Sequence, residues 1–167
     1  VGSQFVGTME NAARLLMSLL QDEEGFDAAA RREIRALRAA RKPLPGFGHH
    51  LHKPDDPRTA RLFEIALSQD GIDGIYIDAM QRLSGIVDDE LGRHLTINAT
   101  GAVAAVMLEI GVEPEIMRGF SVISRAAGLV AHIREEQSNP TARHIWDVVE
   151  ETIPYVGDAP IDETEDH

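Results

Sequence analysis

Apolar residues recur along the chain at steps of three and four, which is the spacing of one face of a helix. The first such stripe contains Ala12, Ala13, Leu16, Met17 and Leu20. A later stretch, residues 73–91, repeats apolar side chains at steps of four. No run of alternating apolar residues is long enough to predict a strand. The pattern therefore predicts an all-α protein.

Capping and breaking residues bound the helices of the first half. Asp27 is positioned to cap a second helix, which the Pro-Leu-Pro-Gly stretch at 43–46 ends because proline cannot continue a helix interior. Asp56 followed by Pro57 predicts the start of a third helix, with proline at its first position, that runs to about residue 69.

The second half contains one strongly apolar stretch and one long helix. Residues 98–110 are apolar on nearly every side, which predicts a buried helix, and Gly111 closes it. Residues 114–117 are expected to form a short turn and residues 120–137 a separate long helix. One face of that helix has only small residues: Ser124, Ala127, Gly128 and Ala131. Such a face lets another backbone approach closely.

Charge and composition narrow the function classes. The 167 residues favour one domain or two small ones, and the formal net charge of −12 argues against nucleic acid and anionic membrane surfaces as partners. No apolar run approaches the length of a membrane span, and the first residues lack the basic-then-apolar pattern of a signal peptide. The absence of cysteine excludes a thiolate nucleophile and fits a cytoplasmic location.

The two ends of the chain differ in character. The chain starts without methionine and runs directly into helical periodicity, so we expect it to be an interior piece of a longer protein. The last ten residues hold five acids and are expected to form a mobile tail.

The stretch Pro45-Gly46-Phe47-Gly48-His49-His50-Leu51-His52-Lys53 carries the clearest candidate chemistry. Its two glycines allow a backbone to lie close to a ligand. The histidine that follows them can polarise a carbonyl or move a proton near neutral pH. Lys53 and Arg58 supply positive charge in an acidic protein, which suits phosphate or carboxylate recognition.

Structural and metal-binding alternatives exist for this stretch. The glycines could simply turn the chain, the histidines could be solvated, and Arg58 could be a surface residue in a first helical turn. His49, His50 and His52 lie close together in sequence, but adjacent loop histidines seldom converge on one ion without outside ligands. We therefore predict no metal.

Two further segments contain candidate residues. Arg125 lies in an otherwise apolar helix, so if it is buried it needs a partner, either a bound carboxylate or a protein acid. His132, seven residues later, shares its face and is more typical of a packed core histidine than of a catalyst. Trp146, which follows Arg143 and is the only tryptophan, is most simply an anchor for a terminal segment.

Taken together, these motifs resemble those of the citrate synthase family. Gly46-Phe47-Gly48-His49 with Asp56-Pro57-Arg58 resembles one signature of that family, and Ser124-Arg125-Ala126-Ala127-Gly128 with Ala131-His132 resembles another. Arg143-His144 with Trp146-Asp147 is similar to a segment in the citryl-CoA lyase module of ATP citrate lyase. The resemblance covers nearly the whole chain, is closest to short bacterial citryl-CoA lyases, and implies that an amino-terminal portion is missing.

The resemblance implies a citrate-synthase-like fold and a division of the chain. Residues 1–111 would be the small CoA-binding helical domain, residues 112–157 the returning segment of the large domain, and residues 158–167 the acidic tail. It also implies a homodimer that cleaves citryl-CoA to acetyl-CoA and oxaloacetate, or runs the reverse condensation.

The resemblance further implies roles for individual residues. Arg58 and Arg125 would clamp a small keto dicarboxylic acid, with Arg143 reaching across a dimer interface. His49 would hydrogen-bond the keto oxygen, where charge develops during the reaction. The backbone from Pro45 through Gly46, Phe47 and Gly48 to His49 would receive the adenine of coenzyme A. Lys53 would lie near the CoA phosphates.

One motif departs from the family pattern. The family has an aspartate base in an Asn-Val-Asp motif, whereas this chain has Asn98-Ala99-Thr100. Threonine cannot act as a carboxylate base near neutral pH, and no acid lies between Glu90 and Glu109. Thr100 at this catalytic position could orient a water, another group could supply the base, or this member could carry out different chemistry. Two alternatives are a non-catalytic module that binds CoA or acyl-CoA and a helical assembly module. The chain on its own is expected to be inactive.

Overall fold

The structure, a computed structural model, describes residues 3–154 and 156–157, with side chains from Gly7 onward. The described residues form seven helices and no strand, which confirms the all-α prediction. The helices are α1 (Ser3–Leu20), α2 (Phe26–Ala39), α3 (Pro57–Leu67), α4 (Ile75–Leu91), α5 (Ala99–Glu109), α6 (Pro114–Ser138) and α7 (Ala142–Thr152). Among the described residues, no helix is long and apolar enough to cross a bilayer.

The core is built around α5, which packs against α1, α3 and α4. Ala102, Ala104 and Ala105 are fully buried on it, as the apolar character of residues 98–110 predicts. Leu16 of α1 and Leu83 of α4 are buried in the same cluster. Alanine side chains keep the helix axes close, and in the first turn of α5 Gly101 and Ala102 are buried.

The structure confirms one of the two helix caps that the sequence predicts. Asp56 caps α3, accepting the backbone N–H of Arg58 at 3.1 Å, and Pro57 is the first helical residue. The cap predicted at Asp27 is wrong, because α2 begins one residue earlier, at Phe26, after Gly25 adopts a positive φ of 86°. Phe26 is buried, so starting the helix there covers its ring, and Asp27 instead pairs with Arg82 at 2.7 Å.

In the second half of the chain, one continuous helix replaces two predicted elements. The separate turn at 114–117 and helix at 120–137 are one helix, α6, because Met117 and Ser121 lie one turn apart and are both buried across the expected break. A glycine such as Gly119 destabilises a helix interior by only about 1 kcal/mol, which packing on this scale overcomes. Helix α7, whose first N–H groups bond to Glu136, was not predicted.

The chain divides into two compact units, Val1–Ser124 and Arg125–His167. The core described above belongs to the first. In the second, the small residues at 127, 128 and 131 are exposed, and the side chain of Trp146 is 61% exposed, so it is not an anchor among the described residues. The predicted domain boundaries, after residues 111 and 157, differ from the boundary between these two units, and the predicted division stays a prediction. The predicted acidic tail lies outside the described residues.

Candidate functional site

The glycine loop is held against the segment that precedes α5. Gly46 and Gly48 have positive φ angles of 84° and 80°, a conformation that glycine adopts without strain. Gly48 donates its N–H to the carbonyl of Thr96 at 2.8 Å, and Asn98 donates to the carbonyl of Gly46 at 3.0 Å. The residues between them form an isolated antiparallel bridge. The loop is therefore fixed relative to the first turn of α5.

The side chain of Asn98 joins the same two elements. Its Nδ2 donates to the carbonyl of Gly48 at 3.0 Å, and its Oδ1 accepts from the backbone N–H of Gly101 at 3.0 Å. Oδ1 also accepts the hydroxyl of Thr100 at 2.5 Å. The single hydroxyl proton of Thr100 is therefore committed to Asn98, and its oxygen remains as an acceptor. The sequence signal for Asn98 was that of a helix cap before an apolar run.

His49 is held as a neutral hydrogen-bond donor. Its Nδ1 accepts the backbone N–H groups of Leu51 and His52, both at 3.0 Å. A neutral imidazole that accepts at Nδ1 carries its proton on Nε2. Burial lowers the pKa of His49, and the charges of His52 and His50 lower it further. The ring is thus neutral at pH 7, with an N–H at Nε2.

Arg58 lies beside that donor and is paired with Asp56. Nε and Nη2 of Arg58 donate to the two oxygens of the buried Asp56 carboxylate at 2.9 and 2.7 Å. Nη2 lies 3.4 Å from Nε2 of His49. The hydrogen bonds from Arg58 hold the pKa of Asp56 well below its usual range, so this carboxylate is a poor proton acceptor. His49 and Arg58 together can receive a carbonyl oxygen and an adjacent carboxylate.

Potential metal ligands meet in the same place. The donor atoms of His49, His52 and Asp56 lie within 4.8 Å of one another. Nδ1 of His49 and both Asp56 oxygens are already engaged, and the Arg58 guanidinium repels a cation there. The arrangement suits an anion better than a metal ion.

A basic cavity adjoins the loop. It has a volume of about 210 Å³, and its lining includes His49, Lys53, Arg93 and His94. In a chain of net charge −12, the cationic side chains of Lys53 and Arg93 in this cavity favour phosphate groups. Sequence reasoning identified Lys53 but missed Arg93 and His94, whose signal was a basic pair just after the glycine that ends α4.

The other predicted residues belong to the second unit. Arg125 is exposed on α6, so it needs no buried partner within that unit. Arg143 is exposed on α7 and pairs with Asp147 at 3.1 Å. The expectation that His132 is a packed core histidine is wrong, because its ring is exposed and pairs with Glu135 at 2.9 Å. The roles of Arg125 and Arg143 stay predictions.

The glycine loop, the histidine and the Asp-Pro-Arg helix start define a member of a known class. The profile of the family described as "Citrate synthase, C-terminal domain" matches residues 2–146, and the chain belongs to that family. The family is enzymatic, and membership supports a citrate-synthase-type function.

Individual relatives are consistent with this assignment. The structure is similar to citryl-CoA lyase from Hydrogenobacter thermophilus, with a TM-score of 0.77 and 29% sequence identity, covering 96% of this chain and 61% of that one. Citrate synthase 2 of Bacillus subtilis is 29% identical over 108 residues, which are 64% of this chain and 28% of the relative. The 2-methylcitrate synthase of Shewanella oneidensis is 28% identical over 149 residues, or 86% and 36% of the two chains. This chain therefore spans well under half the length of these two curated relatives.

Proposed function

We propose that this chain forms the CoA-thioester and keto-acid side of a citrate-synthase-type site. In that reaction, citryl-CoA is cleaved to acetyl-CoA and oxaloacetate, or the two are condensed. The observation that carries the proposal is the neutral Nε2–H of His49, placed 3.4 Å from the guanidinium of Arg58. A keto oxygen next to a carboxylate would match this donor and cation pair.

In the proposed site, His49 contacts the keto oxygen of the keto acid and Arg58 contacts a carboxylate. In the condensing direction, the nucleophilic thioester carbon forms a bond to the keto carbon, and the carbonyl electron pair moves to its oxygen. The His49 N–H stabilises that developing charge by donating a hydrogen bond to the oxygen. In the cleaving direction the same hydrogen bond stabilises the alkoxide whose electron pair re-forms the carbonyl as the carbon–carbon bond breaks. Arg58 would hold one carboxylate of the keto acid, with Arg125 and Arg143 proposed for the other.

The CoA portion would lie along the glycine loop. The backbone from Pro45 to Gly48 would receive the adenine, because the glycines leave room for a flat ring against the chain. The phosphates would enter the cavity lined by Lys53 and Arg93. Coenzyme A would then be bound as a thioester substrate.

The residue at position 100 distinguishes a site that turns over the CoA thioester from one that only binds it. The Thr100 hydroxyl donates to Asn98, and Asp56, which accepts the neighbouring Ala99 N–H at 3.1 Å, is bound by Arg58. Neither group is a ready base for the thioester α-carbon. The second candidate function is therefore a non-catalytic module that binds CoA or acyl-CoA through the same loop.

The test compares a longer protein that contains this chain with its Thr100→Asp and Thr100→Val variants. Acetyl-CoA release from citryl-CoA is measured, and CoA binding is followed by calorimetry. Aspartate at the start of α5 is compatible with the helix dipole, so the variant should fold. Release by the wild type that Thr100→Val abolishes supports catalysis through the threonine. Release only in Thr100→Asp, with CoA bound by both, supports the binding module. Absence of CoA binding in the wild type contradicts both functions.

We also propose that the active protein is a homodimer in the cytoplasm. Support for a dimer comes from α7, where Ile145, Trp146 and Val149 are exposed and line a cavity of about 570 Å³. Sedimentation equilibrium should detect a dimer that Trp146→Glu dissociates, while His144→Glu, on the opposite face of the helix, leaves it intact. A wild-type monomer at all concentrations would contradict this.

A further inference from the structure

Asp56 has more partners than a helix cap needs. It is only 1% exposed, and its oxygens accept the Arg58 backbone N–H, the Arg58 side chain and the Ala99 backbone N–H. Its own N–H donates to Oγ1 of Thr96 at 3.0 Å. One buried carboxylate thus connects the starts of α3 and α5 with the Arg58 side chain.

The geometry of the pair leaves Arg58 one free edge. A guanidinium has five N–H donors in a rigid plane and can bind a carboxylate along either of two edges. Asp56 occupies the edge formed by Nε and Nη2. The edge formed by Nη1 and Nη2 remains, and its Nη2 is the atom that lies 3.4 Å from Nε2 of His49. Asp56 therefore determines where the free edge points.

We propose that Asp56 is a positioning residue that presents the free edge of Arg58 to a single carboxylate of the keto acid, next to the carbonyl that His49 receives. The inference rests on the proposed function and assigns Asp56 a part in keto-acid recognition. Because Asp56 neutralises Arg58, recognition depends on directed N–H groups rather than on excess positive charge. Asp56 does not touch the substrate; it acts through Arg58.

The test removes the charge of Asp56 and keeps its shape. Asp56→Asn is compared with Asp55→Asn, which removes the charge of the neighbouring, exposed carboxylate. Binding of oxaloacetate and of coenzyme A is measured by calorimetry. Hydrogen bonds to charged groups contribute enough that Asp56→Asn should weaken oxaloacetate binding by about 10- to 100-fold. CoA binding should stay unchanged in Asp56→Asn, and Asp55→Asn should bind oxaloacetate like the wild type.

NMR gives a second readout, which reports directly on the contact of Asp56 with Arg58 and on its charge beside His49. Burial, the largest cause, lowers the pKa of His49, and the charge of Asp56 opposes that lowering, so Asp56→Asn should shift the His49 titration to lower pH while Asp55→Asn does not. In the wild type, the Arg58 Nε–H should be protected from solvent exchange by its buried partner. This measurement needs no variant and holds even if Asp56→Asn fails to fold.

The outcomes separate this proposal from the proposed function. A folded Asp56→Asn protein with wild-type oxaloacetate affinity overturns the positioning role, as does an Arg58 Nε–H that exchanges freely in the wild type. A wild type that binds CoA but no oxaloacetate contradicts the keto-acid part of the proposed function. In that case the positioning role fails together with the keto-acid site, whereas wild-type oxaloacetate affinity in Asp56→Asn overturns the positioning role alone.

Discussion

Gly101 and Gly46 meet backbone to backbone. A Cβ atom on Gly101 would lie 2.5 Å from the carbonyl oxygen of Gly46 and 2.8 Å from its Cα. No side chain fits between them, so the first turn of α5 lies directly against the loop proposed to bind CoA. The contact explains why glycine stands at both positions.

Gly101→Ala should therefore destabilise the protein and weaken CoA binding. The atoms that its methyl group meets belong to the backbone, which cannot move aside as a flexible side chain would. Overpacking of this kind lowers the free energy of unfolding by about 1–3 kcal/mol. Urea denaturation measures the loss, and calorimetry should show weaker CoA binding because the loop must shift.

Gly85→Ala is the matched control. Gly85 lies in the interior of α4, with nothing within 4 Å of the position its Cβ would take. Alanine there should raise stability by up to about 1 kcal/mol, because it favours the helix more than glycine does. If both variants behaved alike, the contact between Gly46 and Gly101 would not exist in solution.

Glu109 caps a helix that has no cap of its own. Gly74 precedes α4 without a side-chain acceptor, and Glu109, at the end of α5, accepts the N–H groups of Gly74, Tyr76 and Ile77 at 3.1, 2.5 and 3.0 Å. Glu109→Ala should lower the free energy of unfolding by about 2 kcal/mol, since it leaves these donors without their acceptor beside the positive end of the helix dipole.

Denaturation of Glu109→Gln and Glu113→Ala completes this test. Glutamine keeps one acceptor oxygen but no charge, so its effect should be intermediate. Glu113 is exposed, and none of the side-chain hydrogen bonds described includes it, so Glu113→Ala should change little. Equal losses at positions 109 and 113 would show that the capping contacts contribute nothing.

What the sequence predicted well was local. The α3 start at Asp56 and Pro57 depends on neighbouring residues, and the glycine loop with His49 and Arg58 depends on a contiguous motif. What it missed depends on contacts between distant segments. Glu109 caps Gly74 from 35 residues away, and Asp56, predicted only as a cap, also binds Ala99, 43 residues away. Similarly, burial of Met117 and Ser121 keeps α6 continuous where local signals indicated a break.

Arg41 occupies a conformation that favours glycine. Its φ is 53°, and it ends α2 in a Schellman motif, in which Arg41 donates to the carbonyl of Arg38 at 3.1 Å and Lys42 to that of Leu37 at 2.9 Å. Arg41→Gly should raise the free energy of unfolding by about 1 kcal/mol, because glycine adopts positive φ without a Cβ clash. Arg41→Ala keeps the strain and should give no gain. A gain in both variants would trace the effect to the lost charge instead.

His94 links stability to pH. Its Nδ1 lies 2.6 Å from Asp88 and its Nε2 lies 3.0 Å from Asp55, so both ring nitrogens must carry protons to satisfy both carboxylates. The hydrogen bonds to Asp88, the larger cause, and to Asp55 raise the pKa of His94 above its ordinary 6.5.

The stabilisation that protonated His94 contributes is therefore fully present below the pKa of the unfolded state and is lost as the pH rises through the folded pKa. As the pH rises from below 6.5 through the raised folded pKa, the wild type should lose stability that His94→Gln does not lose. The same deprotonation removes positive charge from the cavity that also contains Lys53 and Arg93, so CoA affinity should fall in parallel. His132→Gln, which alters an exposed histidine of the second unit, should show the wild-type pH profile in urea denaturation. A His94→Gln profile that ran parallel to the wild type would contradict the link.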